Sequence, residues 1–91
     1  MTDIELTRLC AEAMGLKFYN PLHDDAQAMA LVKRFSLRVE RGGMSGIVGF
    51  MHTAKRWRVL ADTPDIYKYE TWDEDMNRAI VECVANMQAE K

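Results

Sequence analysis

The hydrophobic period of the chain changes twice, and this change constrains the fold more than any other feature of the sequence. Residues 3–14 place apolar side chains at i, i+3, i+4 and i+7, starting from Leu6. Residues 35–41 alternate apolar and polar side chains, which is the period of a half-buried strand. Residues 76–87 return to the helical period. Helices at both ends with strands between them predict the α+β class.

Local capping signals set the bounds of the first two helices. Thr2 and Glu5 have the spacing of a capping box, and Gly15 follows Met14 where a left-handed residue is favoured. The first helix is therefore predicted over residues 3–14. A second helix is predicted to begin at Asp24. The side chains expected along its packed side are Ala26, Met29, Ala30 and Lys33.

The last helix has the clearest apolar stripe in the sequence. Its members fall at i, i+3, i+4, i+7, i+8 and i+11, starting from Met76. Thr71 and Glu74 have capping-box spacing, so the helix is predicted to be capped at Thr71. Three carboxylates, at residues 73–75, would then complement the helix dipole in its first turn.

Three strands are predicted between the second and the last helix. They cover residues 35–41, 47–52 and 56–60, with a glycine-rich turn at 42–46. Links this short join antiparallel strands, which gives a meander. Residues 66–70 alternate weakly and are either a fourth, edge strand or an irregular return. The predicted element order is α-α-β-β-β-α, in one domain that spans residues 1–91.

Positive charge is concentrated on the predicted sheet. Residues 33–58 hold seven basic side chains and one acidic one, although the whole chain has a net charge of -2. Alternation places Arg38, Arg56 and Arg58 on one face, opposite the hydrophobic side chains. These charges are either solvated or form a surface for phosphate groups or an acidic partner. The candidate binding residues are Lys33, Arg38, Arg41, Lys55, Arg56 and Arg58.

The sequence contains no spacing that is typical of catalysis, of cofactor binding or of a metal site. His23 precedes a predicted helix cap, and His52 has no ligand partner at a recognised spacing. Cys10 and Cys83 lie on apolar helical faces and are expected to be buried. No catalytic, cofactor-binding or metal-binding residue is therefore predicted, and the chain is not expected to be an enzyme.

The hydrophobic segments also bear on the cellular compartment. The longest apolar runs, 28–32 and 47–51, have five residues each, and a membrane span needs about 20. The first residues show no leader pattern, and two cysteines do not make a disulfide framework. A cytoplasmic protein without membrane contact is expected, as a monomer or a homodimer.

Nearly the whole chain resembles the small "ABA sandwich" domain proteins of tailed phages and prophages. The likeness is carried by residues 14–16, 19–21, 24, 28–32, 35–37, 57–59 and 78–80. Residues 44–51 are more apolar, and residues 72–75 more acidic, than the resemblance leads one to expect. It implies a phage accessory protein made in the bacterial host cytoplasm, and it supplies no catalytic residue.

Two functions follow as expectations. The first is a non-enzymatic interaction module that binds an unknown phage or host protein, through the sheet face or through residues 67–72. The alternative is a nucleic-acid-binding module that uses the basic sheet face, for which binding would weaken steeply with salt.

Overall fold

The computed structural model describes residues 1–41, 56–65 and 67–91, and it confirms an α+β fold. The predicted turn at 42–46 and the predicted strand at 47–52 lie outside the described residues. The elements are α1 (Asp3–Met14), α2 (Asp25–Phe35), β1 (Arg38–Arg41), β2 (Trp57–Leu60), β3 (Thr71–Asp73) and α3 (Met76–Ala89).

The three described strands form an antiparallel sheet in the order β1-β2-β3. Val59 in β2 pairs with Val39 on one side and with Thr71 on the other, so these three side chains share one face. This sheet face packs on α3, where the Thr71 hydroxyl donates a 2.6 Å hydrogen bond to the Ala79 carbonyl. The buried threonine thus joins the edge strand β3 directly to the helix.

The position of β3 corrects the predicted helix cap and decides between the two alternatives predicted for residues 66–70. Thr71 does not cap the last helix, because it belongs to the sheet. The cap is Asp75, whose carboxylate accepts a hydrogen bond from the backbone N–H of Asn77. The three carboxylates therefore precede the helix instead of lying in its first turn. Residues 67–69 form a turn, which agrees with the irregular return and not with the edge strand, since the pairing begins only at Thr71.

The predicted ends of α1 are confirmed. The Thr2 hydroxyl accepts a 3.2 Å hydrogen bond from the Glu5 amide, which satisfies one of the free donors at the helix start. Gly15 has a φ of 68°, and its amide donates to the carbonyls of the last turn. A residue with a side chain is strained in this conformation, so glycine is the favoured residue here.

The start of α2 is as predicted, but its packed side is not. Asp24 accepts a hydrogen bond from the Gln27 amide, as a helix cap does. The fully buried side chains are Ala28 and Leu31, whereas Ala26 and Lys33 are exposed. Helix α2 also continues through residue 35, so β1 begins at residue 38 and is shorter than predicted.

Helix α3 is the central element of the fold. It packs on the sheet with one side and on α1 and α2 with others. The stripe predicted from Met76 is confirmed, and Val81 and Ala85, which lie outside that stripe, are fully buried as well. A helix that is apolar on most sides is typical of a core position. Helix α3 therefore contacts both the sheet and the other two helices.

Among the described residues, no helix combines the length and the hydropathy that a membrane crossing requires.

Candidate functional site

The outer face of the sheet, defined by Arg38, Glu40, Arg58 and Trp72, carries part of the predicted basic surface. As the alternation predicts, Arg38 and Arg58 lie on the same face, because Arg58 pairs with Glu40 across the sheet. The face was predicted to be basic, but it also carries a carboxylate at Glu40 and is bordered by Glu70. The surface is therefore much closer to neutral than the arginine count indicates.

Arg58 is held in place by contacts with its own chain. Its Nε and Nη2 atoms lie 2.7 and 2.6 Å from Glu70 Oε2, and its Nη1 atom lies 3.6 Å from Glu40 Oε2. The guanidinium also lies over the rings of Tyr67 and Trp72, at 5.4 and 5.5 Å from their centroids. Desolvation acts to lower the pKa of Arg58, but the hydrogen bond and charge of Glu70 outweigh it and raise that pKa. The Arg58 guanidinium is thus engaged in contacts with side chains of its own chain.

The other candidate basic residues are dispersed. Arg38 pairs with Glu40 at 2.6 Å, and Arg41 lies over the Trp57 ring at 5.0 Å on the opposite face of the sheet. Arg56 is exposed and borders a shallow pocket together with Asp73 and Glu74. Lys33 is exposed on α2, and Lys55 lies outside the described residues. The described members of the predicted set are therefore not gathered into one positive surface.

The structure reveals a second surface, an open groove of about 560 Å³ beside α1. We call it the α1 groove. One wall is the solvent side of α1, and the other wall is the connector of residues 16–23. Its lining residues are Asp3, Ile4, Thr7, Arg8, Ala11, Glu12, Leu16, Lys17, Tyr19, Asn20, Leu22 and His23.

Large apolar side chains are unusually exposed around the α1 groove. Ile4 is 81% exposed and Leu16 is 48% exposed, and both line it. Phe18, in the same connector, is 89% exposed. Single exposed apolar residues are common, but several beside one concave surface are typical of a contact site.

The connector wall is anchored to the rest of the protein. Pro21 and Leu22 are buried, and the Tyr19 hydroxyl donates a hydrogen bond to the Gln27 carbonyl in α2. The backbone N–H of Asn20 donates a hydrogen bond to the side-chain oxygen Oε1 of the same Gln27. The first turn of α2 thus fixes the position of the connector. The groove is formed before any partner arrives.

The charged residues of the groove are largely paired within the chain. Arg8 and Glu12, four residues apart on α1, lie 2.7 Å from each other. Asp3 lies 2.8 Å from Arg78 of α3. Three of the four Asp, Glu, Lys and Arg side chains that line the groove are therefore paired within the chain.

The two thiols are buried away from this groove. Cys10 in α1 donates a weak 3.5 Å hydrogen bond to the Val81 carbonyl in α3. Burial, with a smaller contribution from Cys83, raises the pKa of the Cys10 thiol from 9.0 to about 12. Burial also raises the pKa of Cys83 to about 12. Neither thiol therefore has the low pKa of a nucleophile.

We expect both thiols to resist alkylation by iodoacetamide in the folded protein at pH 8. The raised pKa lowers the thiolate fraction about a thousandfold, and burial slows access further. The same shifts make the stability of the fold depend on pH. Below pH 9 both thiols are protonated in the folded and the unfolded protein, and the full stability is present. As the pH rises from 9 toward 12 the thiols ionise first in the unfolded chain, so stability is lost. Mass spectrometry with and without urea measures the labelling, and rapid modification of folded protein would contradict the assignment.

The α1 groove was not predicted from the sequence. The signal was nevertheless present, because Ile4 lies outside the apolar stripe of α1, and Leu16 and Phe18 are apolar residues in a connector that needs none. The other predicted contact surface, residues 67–72, is partly engaged: Tyr67 contacts Arg58, and Lys68 and Tyr69 both contact Glu90.

The described residues contain no group of three or more His, Cys, Asp or Glu side chains that could hold a metal ion. Comparison with known proteins adds no relative: no family model, no curated protein and no solved structure matches the chain.

Proposed function

We propose that the protein is a non-enzymatic interaction module that binds another protein through the α1 groove. The observation that carries the proposal is the pair of exposed side chains, Ile4 and Leu16, that line a preformed apolar groove. Burying that surface against a partner contributes about 25 cal/mol per Å² of apolar area. Folding of the chain does not provide this free energy, because Ile4 and Leu16 remain exposed in the folded protein.

A protein partner suits the groove better than a small molecule does. The groove is open to solvent and follows the length of α1, so it offers a long contact and not an enclosed site. Proteins commonly bind helices in grooves of this kind by apolar anchors spaced one turn apart. The resemblance to phage accessory proteins supports a phage or bacterial host protein as the partner.

The alternative, nucleic-acid binding by the basic sheet face, gains no support from the described arginines of that face. Phosphate binding needs cationic groups that are free to approach the backbone. Arg58 and Arg38 instead pair with Glu70 and Glu40.

Affinity capture with matched variants tests the proposal. The variant Ile4→Glu/Leu16→Glu places two carboxylates in the groove, and the glutamate at residue 4 lies in the first turn of α1, where it suits the helix dipole. The matched control is Tyr67→Glu, which alters another exposed side chain, 61% exposed, outside the groove.

We expect wild type and the Tyr67 control to retain the same proteins from a bacterial lysate, and the groove variant to retain them at least about tenfold less. Quantitative mass spectrometry of the three captures gives the ratio, and circular dichroism verifies that all three proteins fold. A set of captured proteins that is identical for all three would exclude the groove as the binding surface.

A further inference from the structure

We infer that the α1 groove is also a self-association surface, on which a second copy of the chain packs antiparallel to the first across a twofold axis. The inference rests on the proposed function and names one partner for the same groove. It depends on the order of the charged and the apolar side chains along the groove, which is self-complementary. Any other partner would compete with the second copy for this surface.

The charged side chains that line the groove alternate in sign. They are Asp3, Arg8, Glu12 and Lys17, and successive members are five, four and five residues apart. Reading the series in the opposite direction keeps the spacing and exchanges every sign. An antiparallel second copy therefore presents a basic group wherever the first copy presents an acidic one.

One register satisfies all of these groups together. With the twofold axis level with residue 10, Arg8 lies opposite Glu12 of the second copy, and Asp3 lies opposite its Lys17. The pair of Arg8 with Glu12 inside one chain, at 2.7 Å, uses one N–H group of a guanidinium that has five. Two such pairs would form a ring of four alternating charges. Lys17, which has no ion pair among the described residues, would gain Asp3 as its partner.

The same register brings the exposed apolar side chains of the groove together. Ile4 lies in the first turn of α1, and Leu16 follows the last turn, where its backbone N–H donates to the Ala11 carbonyl. Both are six residues from residue 10, so Ile4 would pack on Leu16 of the second copy, twice in each dimer. Thr7 and Ala11 line the groove between them, and their short side chains permit two helices to approach closely.

The balance of charge does not favour other classes of occupant. Two acidic and two basic side chains line the groove, so it attracts neither a polyanion, such as nucleic acid or an anionic lipid surface, nor a strongly charged peptide. An uncharged peptide would gain the apolar contacts alone, whereas a second copy gains the ion pairs as well. Complementary charges of this kind fix the register and the orientation of an interface.

Charge reversal on α1 tests the inference. Arg8→Glu and Glu12→Arg each place like charges opposite one another in the dimer, whereas Arg8→Glu/Glu12→Arg restores opposite charges. Sedimentation velocity at about 10 μM to 1 mM protein, in about 0.1 M salt, measures the dimer. We expect wild type to dimerise in this range, each single variant to raise the dissociation constant of the dimer at least about tenfold, and the double variant to restore it.

Mixing the two single variants distinguishes a second copy from any other partner. Each variant alone carries one sign of charge at residues 8 and 12, so we expect an equimolar mixture to form the dimer that neither variant forms alone. The matched control is Arg38→Glu, which reverses another exposed arginine of an ion pair, outside the groove, and which we expect to dimerise like wild type. Circular dichroism verifies that all four variants fold.

Three results would overturn the inference. They are a wild type that remains monomeric throughout, a dimer that persists in Ile4→Glu/Leu16→Glu, and a mixture of the single variants that remains monomeric. The first places no second copy in the groove, the second places the dimer interface elsewhere, and the third excludes the proposed apposition of charges. The lysate capture decides the proposed function separately, because it measures other proteins bound to the same groove.

Discussion

Replacing Ile80 with alanine lowers the free energy of unfolding by about 2–5 kcal/mol, the range measured for buried aliphatic side chains cut back to alanine. Ile80 is fully buried in α3, the helix that the sheet, α1 and α2 all contact. The loss comprises the transfer free energy of the removed carbons and the cavity that they leave. For a domain of this size, such a loss is a large part of the total stability.

The matched control is Ile4→Ala, which removes the same atoms from the first turn of α1. Because Ile4 is 81% exposed, we expect the free energy of unfolding to change by no more than about 0.5 kcal/mol. Urea unfolding followed by circular dichroism measures both variants. Similar losses for the two isoleucines would show that Ile4 is part of the core, and would remove the main argument for the α1 groove as a contact site.

Arg58→Ala is expected to lower the free energy of unfolding by about 2 kcal/mol. The Arg58 side chain is 18% exposed, and its removal breaks the pairs with Glu70 and Glu40 and the contacts with the Tyr67 and Trp72 rings. Part of the cost comes from Glu70, which would keep its charge in a half-buried position without its partner. Solvent screens part of the attraction between Arg58 and Glu70, because both side chains are partly exposed.

Arg38→Ala is the control for Arg58, because it removes the same group from the same face of the sheet. The Arg38 side chain is 69% exposed, so the loss of its pair with Glu40 is expected to cost about 0–1 kcal/mol. A double-mutant cycle between Arg58 and Glu70 isolates their coupling, which we expect to exceed that of Arg38 with Glu40. Equal losses for the two arginines would contradict the central role of Arg58.

The features that local sequence determines were the ones that could be predicted. The caps at Thr2, Gly15 and Asp24 depend on interactions within four residues, and the structure confirms all three. The stripe from Met76 was also predictable, because a buried helix repeats its apolar residues over several turns. The fold class followed from these elements together with the alternation around β1.

The features that depend on tertiary partners could not be predicted in the same way. β3 is only three residues long, and its Thr71 serves equally well as a cap or as a strand residue until the pairing with Val59 is known. The neutral character of the outer sheet face depends on Glu70, which lies 12 positions after Arg58. The α1 groove depends on how the connector folds back, which periodicity does not describe.

The packing of α1 against α3 also has a kinetic consequence. Asp3 contacts Arg78 and Cys10 contacts Val81, so the first helix completes its core contacts only with the last one. Contacts this distant in sequence raise the contact order and slow folding, relative to a bundle of sequential helices. During synthesis on the ribosome, α1, α2 and β2 emerge before α3, the helix that covers their apolar sides, so those sides stay exposed until α3 has emerged.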